Sequence, residues 1–167
     1  GGNKKLGLSR VAGLIEKGFS VASVEYRLSG EAIFPAAVTD CKAAVRFLRA
    51  NAQKYKLDPK RFGAWGSSAG GHLAAFLGTS GDVKEFDVGI NLSVSSRVQA
   101  VCDWFGPTNF LKMNDSSLSR MDHLSARSPE SRFLGGHIVK IPETVKKADP
   151  VTYISKDDPP FSIAHGD

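Results

Sequence analysis

The stretch RFGAWGSSAGGHLAAF, Arg61 to Phe76, holds residues whose types and spacing point to covalent chemistry. Gly66-Ser67-Ser68-Ala69-Gly70 fits G-x-S-x-G, with a β-rich run before it and a small-residue helical run after it. In such a strand-to-helix turn the backbone bends so sharply that positions two before and two after the serine must lack bulk. The oxygen of Ser68 is then pushed clear of the sheet as a candidate nucleophile. The N–H of Ala69 points into the same space and can bind an oxyanion. The helix N-terminus adds a dipole that favours that negative charge. Gly71 allows close helix–strand packing. The competing reading is a glycine-rich turn in which Ser68 only caps the helix. Ser67 is the weaker nucleophile because it is not centred between Gly66 and Gly70.

A serine hydroxyl needs a base, and none of the four histidines fits that part. His72 follows the elbow on the helix and reads as structural or near the site. His123 and His137 lie in an irregular stretch and read as exposed. His165 ends a strand and reads as a hydrogen-bonded core residue. Asp40 and Asp58 read as capping or turn residues. Asp103 ends a strand near the expected site; it could orient a loop or contact a ligand, and a structural hydrogen-bond role is favoured. Glu25-Tyr26-Arg27 reads as a packed corner. Cys41 and Cys102 read as buried free thiols without metal spacing. No metal or cofactor is expected.

The elements that must position Ser68 alternate. A helix is expected over 3–17, stopped by Gly18, and a strand over Phe19–Tyr26 (FSVASVEY). Pro35 opens a helix with Val38, Cys41, Val45, Leu48 and Ala52 on one apolar stripe and Lys42, Arg46, Arg49 and Gln53 opposite. Strands are expected over Phe62–Trp65, Arg97–Trp104 and Phe161–His165. A helix is expected over Ser68–Leu77, and irregular chain with short helical pieces over Thr108–Pro150. Alternation implies an α/β fold: a mostly parallel sheet joined by crossover helices on both faces. Reactive loops in such sheets lie at the carboxyl ends of the strands. Ser68, Asp103 and Asp167 all fall just past strand ends, on one rim.

Composition narrows the class. The chain has 167 residues, 41% apolar and 23% charged, which is one globular domain with enough material for a core. Its net charge of +5 is scattered, without a block of like charge or interleaved aromatics, so nucleic acid is not expected as a partner. No apolar run approaches the ~20 residues of a membrane span, and no membrane partner is expected. The opening GGNKKLGLSR has neither a methionine nor the apolar core of a signal peptide, and the chain reads as an internal fragment.

Beyond the elbow, five stretches carry a resemblance: GFSVASVEYRLS, FPAAVTDCKAAVRFLRANAQKYKLDPKRFGAWGSSAGGHLAA, VCDWFGPTNF, SPESRFLGG and ADPVTYISKDDPPFSIAHGD. Over nearly its whole length the chain resembles the α/β-hydrolase superfamily, in its esterase/lipase branch labelled BD-FAE or carboxylesterase-like. The resemblance implies a partial α/β-hydrolase domain over 1–167, incomplete at both ends. It implies Ser68 as the nucleophile of a serine–histidine–acid triad and an oxyanion hole shared by Ala69 and a glycine-rich H-G-G-G-type loop. The segment 108–150 would be a lid-like insertion. The substrate would be a small-molecule or polysaccharide-linked ester. Gly1-Gly2-Asn3-Lys4 looks like the residues just after the glycine loop. His165-Gly166-Asp167 begins the family's H-G-x-x-D pattern and ends two positions short of its acid. Asp167 is the nearest carboxylate and stands as a candidate acid. The strand that carries the glycine loop would lie between Phe19–Tyr26 and Phe62–Trp65, and its absence would leave a slot with unpaired backbone groups. Residues 1–167 alone are therefore expected to be inactive and poorly stable. A serine peptidase of the prolyl-oligopeptidase kind shares elbow and sheet. A non-catalytic hydrolase-like binding module is the other rival, and the intact nucleophile motif speaks against it.

Overall fold

The computed structural model describes residues 3–5, 11–115 and 121–166. Its sheet has three parallel strands, β1 (Gly63–Ser67), β2 (Ala100–Trp104) and β3 (Phe161–Ala164), in that spatial order. Ala64 pairs with Val101 and Val101 with Phe161; at the far end Ser67 pairs with Trp104 and Trp104 with Ala164. Of the helices, α1 covers Ala12–Glu16, α2 Ala36–Ala50, α3 Ala52–Tyr55, α4 Ala69–Thr79, α5 Pro129–Leu134 and α6 Pro142–Ala148.

The helix that carries the elbow lies close against the sheet, for a reason written in its composition. From Gly71 to Thr79 every residue of α4 is buried. A Cβ on Gly78 would come within 2.7 Å of Val101 Cγ2 and 3.0 Å of Phe161 Cε2. Gly71, seven residues earlier on the same helix face, would meet Gly106 Cα at 2.9 Å. Two glycines on one face therefore let the backbone of α4 rest on β2 and β3. Behind α4 an aromatic cluster fills the core. Phe76 meets Phe86 edge-on at 5.1 Å between ring centroids, and Phe34 meets Phe86 at 5.8 Å, also edge-on.

Pro35 sits at the N-cap of α2, and Val38, Cys41 and Val45 are buried as the stripe predicts. Burial pushes the Cys41 thiol up to about 12, with help from the Asp40 charge, so it is an inert core thiol. Cys102, expected to be buried, is only half-buried. The opposite side of α2 departs further from expectation. Lys42 is 1% exposed and Arg46 0%, not solvated. Both reach Asp87, Lys42 Nζ at 3.3 Å and Arg46 Nη1 at 2.8 Å. Lys42 also donates to the carbonyls of Ser80 and Val83, and Arg46 to those of Val88 and Ile90. The loop after α4 is thus folded back over α2 and tied to it by buried charge. Burial lowers the Lys42 pKa against the pull of Asp87. For Asp87 burial pulls upward, but Lys42, Ser96 and Arg46 outweigh it and hold the carboxyl below its ordinary value.

Two expected elements differ. Of the helix expected over 3–17, residues 3–5 are coil and turn rather than helix, and α1 has no buried residue. A short helix without a buried face has little to hold it. The strand expected over Phe19–Tyr26 is extended chain outside the sheet. Its side chains alternate as a strand's do, with Val24, Tyr26 and Leu28 half-buried and Ser23, Glu25 and Arg27 exposed. A strand also needs a ladder partner, and among the described residues it has none in the sheet, although Lys4 lies alongside, its carbonyl accepting from Ser23 Oγ and its ammonium pairing with Glu25. Side chains hold it instead: Asp40 accepts from Arg27 N at 2.9 Å and pairs with its guanidinium at 2.8 Å, and Glu31 accepts from Leu28 N. Between this stretch and Ala43, Ala44, Phe47 and Leu48 of α2 runs a groove of about 820 Å³.

Candidate active site

The turn from β1 to α4 is strained at Ser68. Ser68 has φ 57° and ψ −122°, a conformation that residues other than glycine avoid. It is exposed, and its hydroxyl makes no capping bond to α4. This removes the reading in which Ser68 is only an N-cap. A Cβ on Gly66 would run into the carbonyl of Gly70, so glycine is required before the serine. Gly70 is different: a Cβ there would meet nothing within 4 Å, so the steric demand falls on Gly66 alone. Ala69 is the first residue of α4, and its N–H has no preceding helical turn to accept it. Ser67 closes the last rung of β1, paired with Trp104.

A second loop is clamped against the first. The carbonyl of Trp104 accepts from Ser68 N at 2.8 Å, and Phe105 N donates to Ala164 O at 2.9 Å. Asp103 is 2% exposed, and its Oδ1 accepts from Gly106 N at 2.9 Å. Burial raises the Asp103 pKa against the pull of that N–H and of His165. Asp103 therefore holds the loop, as expected of it. His72 holds the other end. Its Nδ1–H donates to Pro107 O at 2.8 Å, and the ring packs against Phe110 at 4.9 Å and Phe133 at 5.5 Å. Burial depresses its pKa to about 4 although the Pro107 carbonyl favours the charged form. The ring is neutral at pH 7, and its Nε2 is buried without a partner.

Among the described residues no histidine ring is bonded to the Ser68 hydroxyl. His123 and His137 are half-buried and bonded, not exposed: His123 Nδ1 lies 3.1 Å from Glu130 Oε1, and His137 Nε2 donates to Leu124 O at 3.0 Å. His165 is exposed, not in the core, because it follows β3 at the open rim. Its ring meets the Phe105 ring at 6.2 Å. Asp167 lies outside the described residues. Phe105, next to His165, carries no catalytic motif in the sequence. Its signal there is Trp104-Phe105-Gly106-Pro107, a turn-forming pair directly after a strand.

Comparison with known proteins settles the family. The family model described as BD-FAE matches residues 2–167. This chain belongs to the BD-FAE family. Among solved structures, this BD-FAE chain is similar to the Bifunctional GH43-CE of Bacteroides eggerthii (42% identity, TM-score 0.84, 92% of this chain and 21% of that one). It is also similar to a truncated carbohydrate esterase from gut microbiota (40% identity, TM-score 0.82, 91% of this chain and 56% of that one). Esterase LipQ of Mycobacterium tuberculosis is 30% identical over 92% of this chain and 35% of its own length. The chain thus spans about a third of the length of this relative and of the probable carboxylic ester hydrolase LipM from the same organism. These likenesses bear out the α/β-hydrolase fold and the esterase-branch resemblance.

Proposed function

We propose that the protein containing this BD-FAE chain is a carboxylic ester hydrolase that works through an acyl-enzyme on Ser68 and acts on esters carried by carbohydrate. The observation that carries the reading is Ser68 itself. It is exposed, held at φ 57° between β1 and α4, and its hydroxyl is not spent on capping the helix. The substrate class is supported by the likeness to a carbohydrate esterase at 40% identity.

In this reading Ser68 Oγ attacks the acyl carbon and its proton passes to a general base. The tetrahedral oxyanion is held by Ala69 N–H at the start of α4. The C–O bond to the sugar breaks, and the leaving oxygen takes up the proton. Water then attacks the acyl carbon, releasing the carboxylic acid and restoring the Ser68 hydroxyl. By the resemblance, the base and the acid of the triad come from chain beyond these residues, and 1–167 alone do not turn over. The 108–150 segment acts as an insertion beside the site. In support, its two ends are joined where Phe110 N donates to Asp149 Oδ1 at 2.9 Å.

The test is a fluorophosphonate probe and an acetylated xylo-oligosaccharide, applied to the complete gene product. Label on Ser68, and loss of label and turnover together in Ser68→Ala, are expected. Turnover that survives Ser68→Ala, or label on another residue, overturns the reading.

A further inference from the structure

Beyond the last rung of the sheet, three residues stand in a row. Ser67 pairs with Trp104 and Trp104 with Ala164. The next residue on each strand is Ser68, Phe105 and His165. All three are exposed. Ser68 and Phe105 share a second property: φ is 57° at the serine and 58° at the phenylalanine. Left-handed backbone at a bulky aromatic residue is a genuine outlier. It persists only where the surroundings impose it, and such outliers gather at working sites.

The surroundings do impose it. Ser68 N–H holds the carbonyl before Phe105, and Ala164 O holds the N–H of Phe105 itself. Asp103 holds the N–H of Gly106, and His72 holds the carbonyl of Pro107. Gly106 has no room for a side chain, since a Cβ there would lie 2.5 Å from His72 N. Yet this tightly bonded loop leaves about half of Phe105 open to solvent. The residue is 51% exposed and touches the His165 ring edge-on. A rigid loop that presents a flat apolar face beside a nucleophile is a preorganised binding surface.

We propose that Phe105 is a substrate-contacting residue that sets specificity: its ring is the platform on which the sugar ring of the ester stacks while the acyl group lies at Ser68. This rests on the ester-hydrolase reading above. The chemistry is that of any ring with an apolar C–H face. The inference separates such esters from open-chain ones.

The test uses the complete gene product and two esters, an acetylated xylo-oligosaccharide and ethyl acetate, with Phe105→Ala, Phe105→Leu and Phe105→Tyr. The readout is the ratio of kcat/KM for the sugar ester to that for ethyl acetate. Phe105→Ala and Phe105→Leu should lower the ratio about three- to tenfold, the range an aromatic contact supplies, and the loss should lie in KM for the sugar ester. Phe105→Tyr, which keeps the ring, should keep the ratio. The inference is overturned if Phe105→Leu leaves the ratio unchanged or lowers both esters alike. It is equally overturned if Phe105→Leu no longer folds, since Phe105 would then be a core residue. Failure of the ester-hydrolase reading is seen separately, as turnover that survives Ser68→Ala.

Discussion

The glycines of the elbow are not equivalent, although the motif writes them alike. Gly66 faces the Gly70 carbonyl and has no space for a methyl group, whereas Gly70 faces open space. Gly66→Ala should therefore cost about 1–3 kcal/mol by overpacking and displace Ser68, with fluorophosphonate labelling lost. Gly70→Ala should keep stability or raise it by up to about 1 kcal/mol, because alanine favours the helix. Urea midpoints of the two variants in the complete protein compare them directly; an equal loss from both would contradict the steric account. His72 yields a pH prediction. Burial depresses its folded pKa to about 4 from an ordinary 6.5, so the fold favours the neutral ring. Its contribution is fully present above pH 6.5 and is lost as pH falls through about 4, to the order of 3 kcal/mol. Asp149 works the other way. Burial raises it to about 6, against the pull of Phe110 N–H, so its carboxylate costs stability as pH rises through that value. The two offset each other in part, so the readout is a difference. His72→Asn, which keeps a donor for Pro107 O, should lose less stability between pH 7 and 4 than the parent does. A parallel pair of stability curves would show that His72 carries none of the acid sensitivity.

At the scale of elements, the loop after α4 is fixed by Lys42, Arg46 and Asp87. One carboxylate serves two buried cations, so its removal leaves both without a counter-charge. Asp87→Ala should cost about 3–5 kcal/mol, read as a fall in the denaturant midpoint. A loss below 1 kcal/mol would mean that the carbonyls of Ser80, Val83, Val88 and Ile90 suffice. This cluster also shows where sequence reading stopped. Lys42 and Arg46 lie on the polar side of an amphipathic pattern and look solvated, because their partner is more than 40 residues away. The elbow was legible because all of its determinants lie within Gly63–Gly71: strand, glycine, serine and small-residue helix. The helix α2 was legible from Pro35 and the stripe Val38, Cys41, Val45. Phe19–Tyr26 carries the alternation of a strand, but alternation describes faces, not partners, and a ladder needs a second chain segment. Phe105 was missed because its backbone conformation is imposed by Ala164, Ser68 and Asp103, which only the fold brings together.

At the scale of the whole molecule, the sheet is open where it should be strongest. In the described residues β1 is paired on one side only, and the extended 22–28 stretch stands across a groove of about 820 Å³ from α2. No residue of β1 or of 22–28 is buried, so water meets their unpaired backbone groups, and what the open edge forfeits is the burial of the apolar side chains beside it. The groove is lined by Val24, Tyr26, Phe47 and Leu48, apolar side chains that gain nothing from facing water. The polypeptide 1–167 expressed by itself should therefore unfold over a broad range of urea and bind a hydrophobic dye. It should show rapid amide exchange at 22–28 and turn over no ester. The complete gene product should unfold in one steep transition with those amides protected. Hydrogen exchange distinguishes the causes, because a filled groove protects 22–28 whereas a merely stabilised core protects α4 and leaves 22–28 fast. If 1–167 alone gave a steep transition with slow exchange at 22–28, the side-chain ties from Asp40 and Glu31 would be enough to hold that stretch. The open edge of β1 would then be tolerated as an ordinary solvated strand edge.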